Sequence, residues 1–101
     1  MSSLSLHVEG DTVALNGEMT FSTVTAALNQ SNNLFGREGE LQVDLKGVAR
    51  VDSAGVSLLL EWFRRMEQQR RKISFLNVPH ALQRLARIGG VATLLSIDAE
   101  R

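Results

Sequence analysis

The chain has 101 residues, 44% of them hydrophobic, with 11 basic and 11 acidic side chains and no cysteine. This length supports one hydrophobic core and not two, so residues 1–101 are read as a single domain. Zero formal net charge removes global electrostatic support for non-specific nucleic-acid binding, and the lack of cysteine removes disulfides, thiolate metal sites and cysteine nucleophiles.

No apolar run approaches the ~20 residues needed to cross a bilayer. Met1-Ser2-Ser3-Leu4-Ser5 lacks the basic stretch and long apolar core of a secretory signal. A cytoplasmic location is therefore expected, with any membrane association supplied by a partner.

In chain order, Leu4, Leu6 and Val8 alternate with Ser5, His7 and Glu9, the period-two pattern of a half-buried strand. Glu9-Gly10-Asp11 is turn chemistry, and Val13 and Leu15 resume the alternation, so the opening reads as a hairpin. Ser22 is the expected N-cap of a first helix, with Phe21 stapled against Ala26 and with Val24, Ala27, Leu28 and Phe35 facing inward. The Asn- and Ser-rich middle from Asn29 to Asn33 predicts that this helix is short or frayed, because those side chains compete for backbone partners. Gly36-Arg37-Glu38-Gly39 is a loop that returns the chain to a buried strand at Leu41-Gln42-Val43-Asp44-Leu45.

The chain then reaches Val51-Asp52-Ser53-Ala54-Gly55-Val56, a strand-to-helix junction. A helix start leaves its first N–H groups unpaired, and Asp or Ser side chains accept from them. That capping role is the plain account of Asp52-Ser53. Beside it stands a functional account. Ala54 and Gly55 keep the first turn small, so another surface can approach Ser53, and an added phosphate is electrostatically tolerated at a helix N-terminus.

Along the helix, Val56, Leu59, Leu60, Phe63 and Met66 form one apolar face, and Ser57, Glu61, Arg64, Arg65 and Gln68 form the other. Leu58 and Trp62 fall on the flank. They either widen the core stripe or lie partly exposed beside Ser53 as a contact patch, where Trp is a common anchor. Arg70-Arg71-Lys72 complement the negative helix end, with attraction to an acidic partner or lipid headgroups as the lesser alternative.

Ile73 to Val78 is a further strand, ended by Pro79. Ala81 to Ile88 is a third helix with Leu82, Leu85 and Ala86 inward, stopped by Gly89-Gly90. Val91 and Leu94 to Ile97 read as a short edge strand, and Asp98 to Arg101 as a polar tail. The fold class is α/β, with a mixed, mostly parallel sheet and helices packed on one side. The hairpin is antiparallel, and the strands at Leu41 and Ile73 are parallel because a helical crossover joins them.

No convergent catalytic set is legible. His7 and His80 lie on different elements, and Ser53 lacks the Gly-x-Ser-x-Gly elbow of a nucleophile. Asp44 and Asp52 flank one loop, and Asp44 is read as a strand-end residue bonded to loop amides. Neither an enzyme nor a metal or cofactor site is expected; a small exposed helix start suits recognition by another protein.

Val43-Asp44-Leu45-Lys46-Gly47-Val48-Ala49-Arg50-Val51-Asp52-Ser53-Ala54-Gly55-Val56 resembles the signature of STAS domains, in which an apolar-Asp-Leu strand end and a short loop precede Asp-Ser/Thr-x-Gly-apolar at a helix start. The order of elements on both sides is also STAS-like. The resemblance implies that Ser53 is a partner-contact or phosphoacceptor position and that Asp52, Ala54, Gly55, Leu58 and Trp62 border the partner.

Two roles follow from the resemblance. One is an MlaB-like subunit that binds and regulates the ATPase of an Mla-type phospholipid ABC transporter. The other is an anti-sigma-factor antagonist that binds a kinase-type anti-sigma factor and is switched off by phosphorylation of the motif serine. The opening Gly10 to Met19 and the late segment Asn77 to Val91 are similar to MlaB-like chains, and the motif here is Ser-Ala-Gly-Val where antagonists often carry Ser-Ser-Gly-Leu. The transporter role is therefore preferred.

Overall fold

The computed structural model describes residues 3–97, with the backbone alone at 35 and 36. The inward placement of Phe35 and the tail from Asp98 lie outside the described residues.

The alternation at the start folds as expected. Strand β1 (Leu4–Glu9) pairs antiparallel with β2 (Thr12–Met19), with Leu6 opposite Leu15. Gly10 sits first in the two-residue turn at φ +62, a position that primed hairpin turns reserve for glycine. Helix α1 (Val24–Gln30) and a 3-10 turn (Ser31–Gly36) then cross to β3 (Leu41–Val51), which runs parallel to β2. Helix α2 (Ser53–Gln68) crosses to β4 (Ile73–Leu76), parallel to β3, and helix α3 (His80–Ile88) follows. The sheet order is β1-β2-β3-β4.

One sheet face carries the core. Leu4, Val13, Leu15, Leu41, Val43, Leu45 and Phe75 are buried, while the alternate residues Ser5, Gln42, Lys46 and Ser74 are exposed. That pattern fits helices on one side only. Helix α1 packs on β1 and α2, and α2 packs on α3.

Strand β3 runs six residues past the apolar run that predicts it, through the segment expected to be a loop. Opposite β2 it accommodates two irregularities, between Ala14/Asn16 and between Gly17/Glu18, where β3 uses extra residues. Each changes which face the chain presents. Inward residues therefore fall at Leu45 and then Val48, three apart instead of two. At the first irregularity Asn16 lies opposite Gly47. A Cβ on Gly47 would fall on the Asn16 amide oxygen and 2.8 Å from the Leu15 carbonyl, so only glycine fits there.

Helix α2 is rolled relative to its predicted face. The fully buried stripe is Gly55, Leu59, Trp62 and Met66, with Leu58 at its edge, while Leu60 and Phe63 are only partly buried. The cause is the 3-10 turn, which packs on the flank that carries Trp62. The Trp62 indole Nε1–H donates to Ser31 Oγ at 2.9 Å, and Ser31 Oγ–H donates to the Leu28 carbonyl at 2.7 Å. Both side chains are buried and satisfied, as buried polar groups must be. Trp62, 2% exposed, is thus a core residue and does not form a contact patch.

Three other expectations change. Helix α1 is short as expected, but its cap residue is Thr23. Thr23 Oγ1–H donates to the Glu18 carbonyl at 2.7 Å and Oγ1 accepts from Thr20 N–H at 3.0 Å. These bonds tie the loop down and leave Phe21 76% exposed, with no staple to Ala26. The last apolar segment is a helical turn, with Leu95 N–H bonded to the Val91 carbonyl and Ile97 N–H to the Ala92 carbonyl; Ala92, Leu95 and Ile97 plug the core. A run this short fits either a strand or a buried turn, and Gly90 at φ +77 directs it back over α3.

The basic cluster at the end of α2 is largely spent inside the domain. Arg71 donates to the Gly39 and Leu34 carbonyls, Arg65 to Glu61 and Asn32, and Arg64 to Glu61.

Trp62→Ala is expected to lower stability by about 3–5 kcal/mol, the range for truncating a buried aromatic. Trp62→Phe keeps most of the packing but strands Ser31 without its donor, at about 1–3 kcal/mol. Urea unfolding followed by circular dichroism measures both, and an unchanged midpoint for Trp62→Ala would return Trp62 to the surface.

Candidate functional site

Strand β3 ends at Val51 and hands the chain to Asp52, which is extended at φ −133, ψ −169. The Asp52 backbone N–H donates to the Met19 carbonyl at 3.1 Å, which anchors the junction to the end of β2. Its carboxylate accepts twice. Oδ1 takes the Ala54 N–H at 2.8 Å, the capping bond of α2, and Oδ2 takes the Phe21 N–H at 3.2 Å. One side chain thus joins the loop after β2 to the first turn of α2.

Ser53 is the first residue of that helix and is exposed. The capping role read for Asp52 and Ser53 together falls to Asp52, and Ser53 is left exposed.

The small residues beside them work from below. Ala54 and Gly55 are buried. A Cβ on Gly55 would come within 3.3 Å of Met19 Cβ and carbonyl and 3.4 Å of Leu82 Cδ1, so this glycine lets α2 sit close on β2 and α3. Ala54 and Leu58 form the floor of a shallow groove of about 110 Å³ between α1 and α2, walled by Val24, Leu28 and Glu61. Leu58 is only 3% exposed, so it shapes this surface without projecting from it.

A second hollow of about 260 Å³ lies on the other side of Asp52, lined by Glu18, Thr20, Phe21, Ser22, Arg50, Val51 and Asp52. Phe21 and Arg50 are functional candidates that the sequence reading missed. Their signal is weak, because Phe-Ser before an apolar run also reads as a staple and cap. Once Thr23 takes the cap position, the aromatic beside Asp52 is left exposed.

The two aspartates near this end do not form a pair. Asp44 Oδ1 accepts from Asn77 Nδ2 at 2.9 Å and from Lys46 N–H at 3.0 Å, and these bonds, the Asn77 one foremost, hold its carboxyl below its ordinary 3.8. Asp44 is thereby the amide-bonded strand residue that the sequence suggests. Glu61 is likewise held below its ordinary 4.5, chiefly by the bond from Arg65. Among the described residues no group of His, Asp and Glu is arranged to hold a metal ion, and no helix is long and apolar enough to cross a membrane.

A four-stranded mixed sheet, three helices and an Asp-Ser-x-Gly helix start define a class. A family model described as "Mlab, STAS domain" matches residues 2–96, and the chain belongs to the STAS domain family. Within that family it is MlaB-like, since that is the branch the matching model describes. No curated protein sequence matches the chain significantly.

Among solved structures, the unphosphorylated anti-sigma factor antagonist SpoIIAA superposes with a TM-score of 0.65 at 21% identity, covering 85% of this chain and 83% of its own. The murine anion transporter Slc26a9 superposes with a TM-score of 0.69 at 16% identity, covering 91% of this chain but 16% of the transporter. At these identities the likeness is one of fold.

Asp52→Ala removes the cap and the tie to Phe21 together, and about 1–2 kcal/mol of stability should be lost. Asp52→Asn, which keeps an acceptor oxygen, should lose less; equal losses in urea melts would refute the carboxylate's bridging role. Asp44 and Glu61 set a separate pH dependence. Each is held lower in the folded chain than in the unfolded one, so its contribution is complete above its ordinary value and is lost as pH falls through the lowered one. Unfolding midpoints should therefore drop on acidification from about pH 5 to about pH 3, and Asp44→Asn should flatten part of that drop. A mutant with the same acid limb would disprove the assignment.

Proposed function

We propose that this domain is a non-catalytic adaptor that binds and regulates the ATPase subunit of an Mla-type phospholipid ABC transporter, and so serves outer-membrane lipid asymmetry. It works in the cytoplasm, brought to the inner face of the inner membrane by that partner. The contact centres on Ser53. The observation that carries this reading is the exposed Ser53 hydroxyl on a helix start fixed by Asp52, beside an exposed Phe21, in a chain whose family model is the MlaB one.

Asp52, Ser53, Phe21 and Arg50 form the rim of the contact, and Ala54 and Leu58 the floor of the adjoining groove. Phe21 takes the anchor role first assigned to Trp62. Gly55 contributes by holding the turn close to the sheet.

The second reading, an anti-sigma-factor antagonist with Ser53 as phosphoacceptor, rests on the exposed motif serine; SpoIIAA, alike over 85% of this chain, shares the fold. Co-purification from the native cell discriminates the two. An ATPase with permease subunits supports the first reading, and a serine-kinase anti-sigma factor replaces it with the second.

Charge at Ser53 is the sensitive variable. An anion near a helix N-terminus gains ~0.3–1 kcal/mol from the dipole. Here the Asp52 carboxylate already sits at that end and repels a second charge, so Ser53→Asp should melt close to wild type. At an interface shaped for a neutral hydroxyl, the same charge loses its water without a counter-ion, and the partner should be lost. Ser53→Thr should bind nearly normally. Phe21→Ala should weaken binding by ~2 kcal/mol with an unchanged melt. Pull-downs with the ATPase and thermal melts of the free domain measure these. Full binding by Ser53→Asp would reduce the motif to a helix start.

A further inference from the structure

Charge is unevenly placed in this neutral chain. From Pro79 to Ile97 there is no acidic residue, and Arg84 and Arg87 carry the only full charges. Both lie on the exposed face of α3, opposite the buried Leu82 and Ala86. Among the described residues neither is paired with a carboxylate or a carbonyl. This sets them apart from Arg64, Arg65 and Arg71, which are all engaged within the domain.

Ile88, next to Arg87 and one turn from Arg84, is 83% exposed, and Leu94 is 52% exposed in the turn that follows. Arg84, Arg87 and Ile88 line an open, mostly apolar dish of about 360 Å³. Positions three and four apart on a helix have Cβ atoms about 5–6 Å apart, so Arg84 neighbours both Arg87 and Ile88 on this face.

A lone Arg in a last turn is explained by the helix dipole. That accounts for Arg87 and leaves unexplained Arg84, which has no partner among the described residues, and the exposed Ile88. Guanidinium forks read carboxylates in two-pronged fashion, and an aliphatic group beside them rewards an apolar neighbour.

We infer that the outer face of α3, formed by Arg84, Arg87, Ile88 and Leu94, is a second docking surface, for a short acidic helix of a protein partner with two carboxylates one turn apart beside an aliphatic residue. A bilayer fits less well. Juxtamembrane polybasic segments need several Lys or Arg to hold an anionic surface, so two arginines give only a marginal hold. The remainder of the chain opposes it, because 11 acidic residues cancel the 11 basic ones overall. A discrete partner meets only the local excess. The surface is independent of the reading given to Ser53 and stands or falls apart from it.

The test is an amide NMR titration of the whole domain with an alanine-based helical peptide carrying Glu-x-x-Glu and an adjacent Leu. Shifts should concentrate at residues 84–95. Arg84→Gln and Arg87→Gln should each weaken binding about threefold, and raised salt should weaken it further. Ile88→Ser should cost about fivefold, and Ser53→Asp should leave the titration unchanged. All four sites are exposed, so the spectra should confirm an intact fold. No shifts at this face, or an equal response to the peptide with Gln in place of Glu, would overturn the inference. So would a stronger response to phosphatidylglycerol-containing vesicles, which would assign the face to lipid. Concentration-dependent shifts at the same residues without peptide would assign it to a second copy and overturn it likewise.

Discussion

The fold around the exposed serine depends on where one carboxylate sits. Asp52 leaves the last strand pair with its backbone bonded to Met19 and its two oxygens divided between Phe21 and Ala54. Three elements, the end of β2, the loop that follows and the start of α2, therefore share a single residue. Neither bond is strong alone, since hydrogen bonds to a charged group contribute about 1.5–3 kcal/mol at most. Their value is geometric. They fix the direction in which α2 leaves the sheet, and with it the direction in which Ser53 faces.

The second constraint lies beneath that turn. Gly55 allows α2 to approach Met19 and Leu82 closely, and Trp62 reaches across to Ser31 on the other flank. Helix α2 is gripped from both sides, and the roll of its buried stripe follows from this grip. The surface that remains is consequently divided. Small and apolar floor residues lie between α1 and α2, while the projecting aromatic, Phe21, stands on the opposite side of Asp52.

Much of the architecture was legible because it rests on local patterns. The alternation in β1 and β2, the long amphipathic run of α2 and the crossover rule give the mixed sheet and its one-sided helices. The Asp-Ser-x-Gly junction also predicts the helix start found at Ser53. What escaped the sequence depends on long-range contacts. Lys46 to Arg50 looked like a loop because two irregularities break the period of two. Trp62 stays open between core and contact patch because periodicity reports the face of an isolated helix, and the 3-10 turn that covers it comes from 31 residues earlier. The staple expected of Phe21 against Ala26 does not form, because Thr23, bonded to Glu18 and Thr20, takes the cap position expected of Ser22.

The notch between β2 and β3 has a consequence for how this chain can vary. The Asn16 side chain occupies the volume that a side chain at 47 would need. The two positions are 31 apart in sequence and lie side by side in the sheet. Shrinking residue 16 would not free position 47, because the Leu15 carbonyl still lies 2.8 Å from where a Cβ at 47 would fall. The obstacle is backbone, which no substitution removes, so position 47 should accept no side chain on any background while the exposed position 16 stays free to vary. The irregularity that lets β3 reach Asp52 is in this sense locked from one side only.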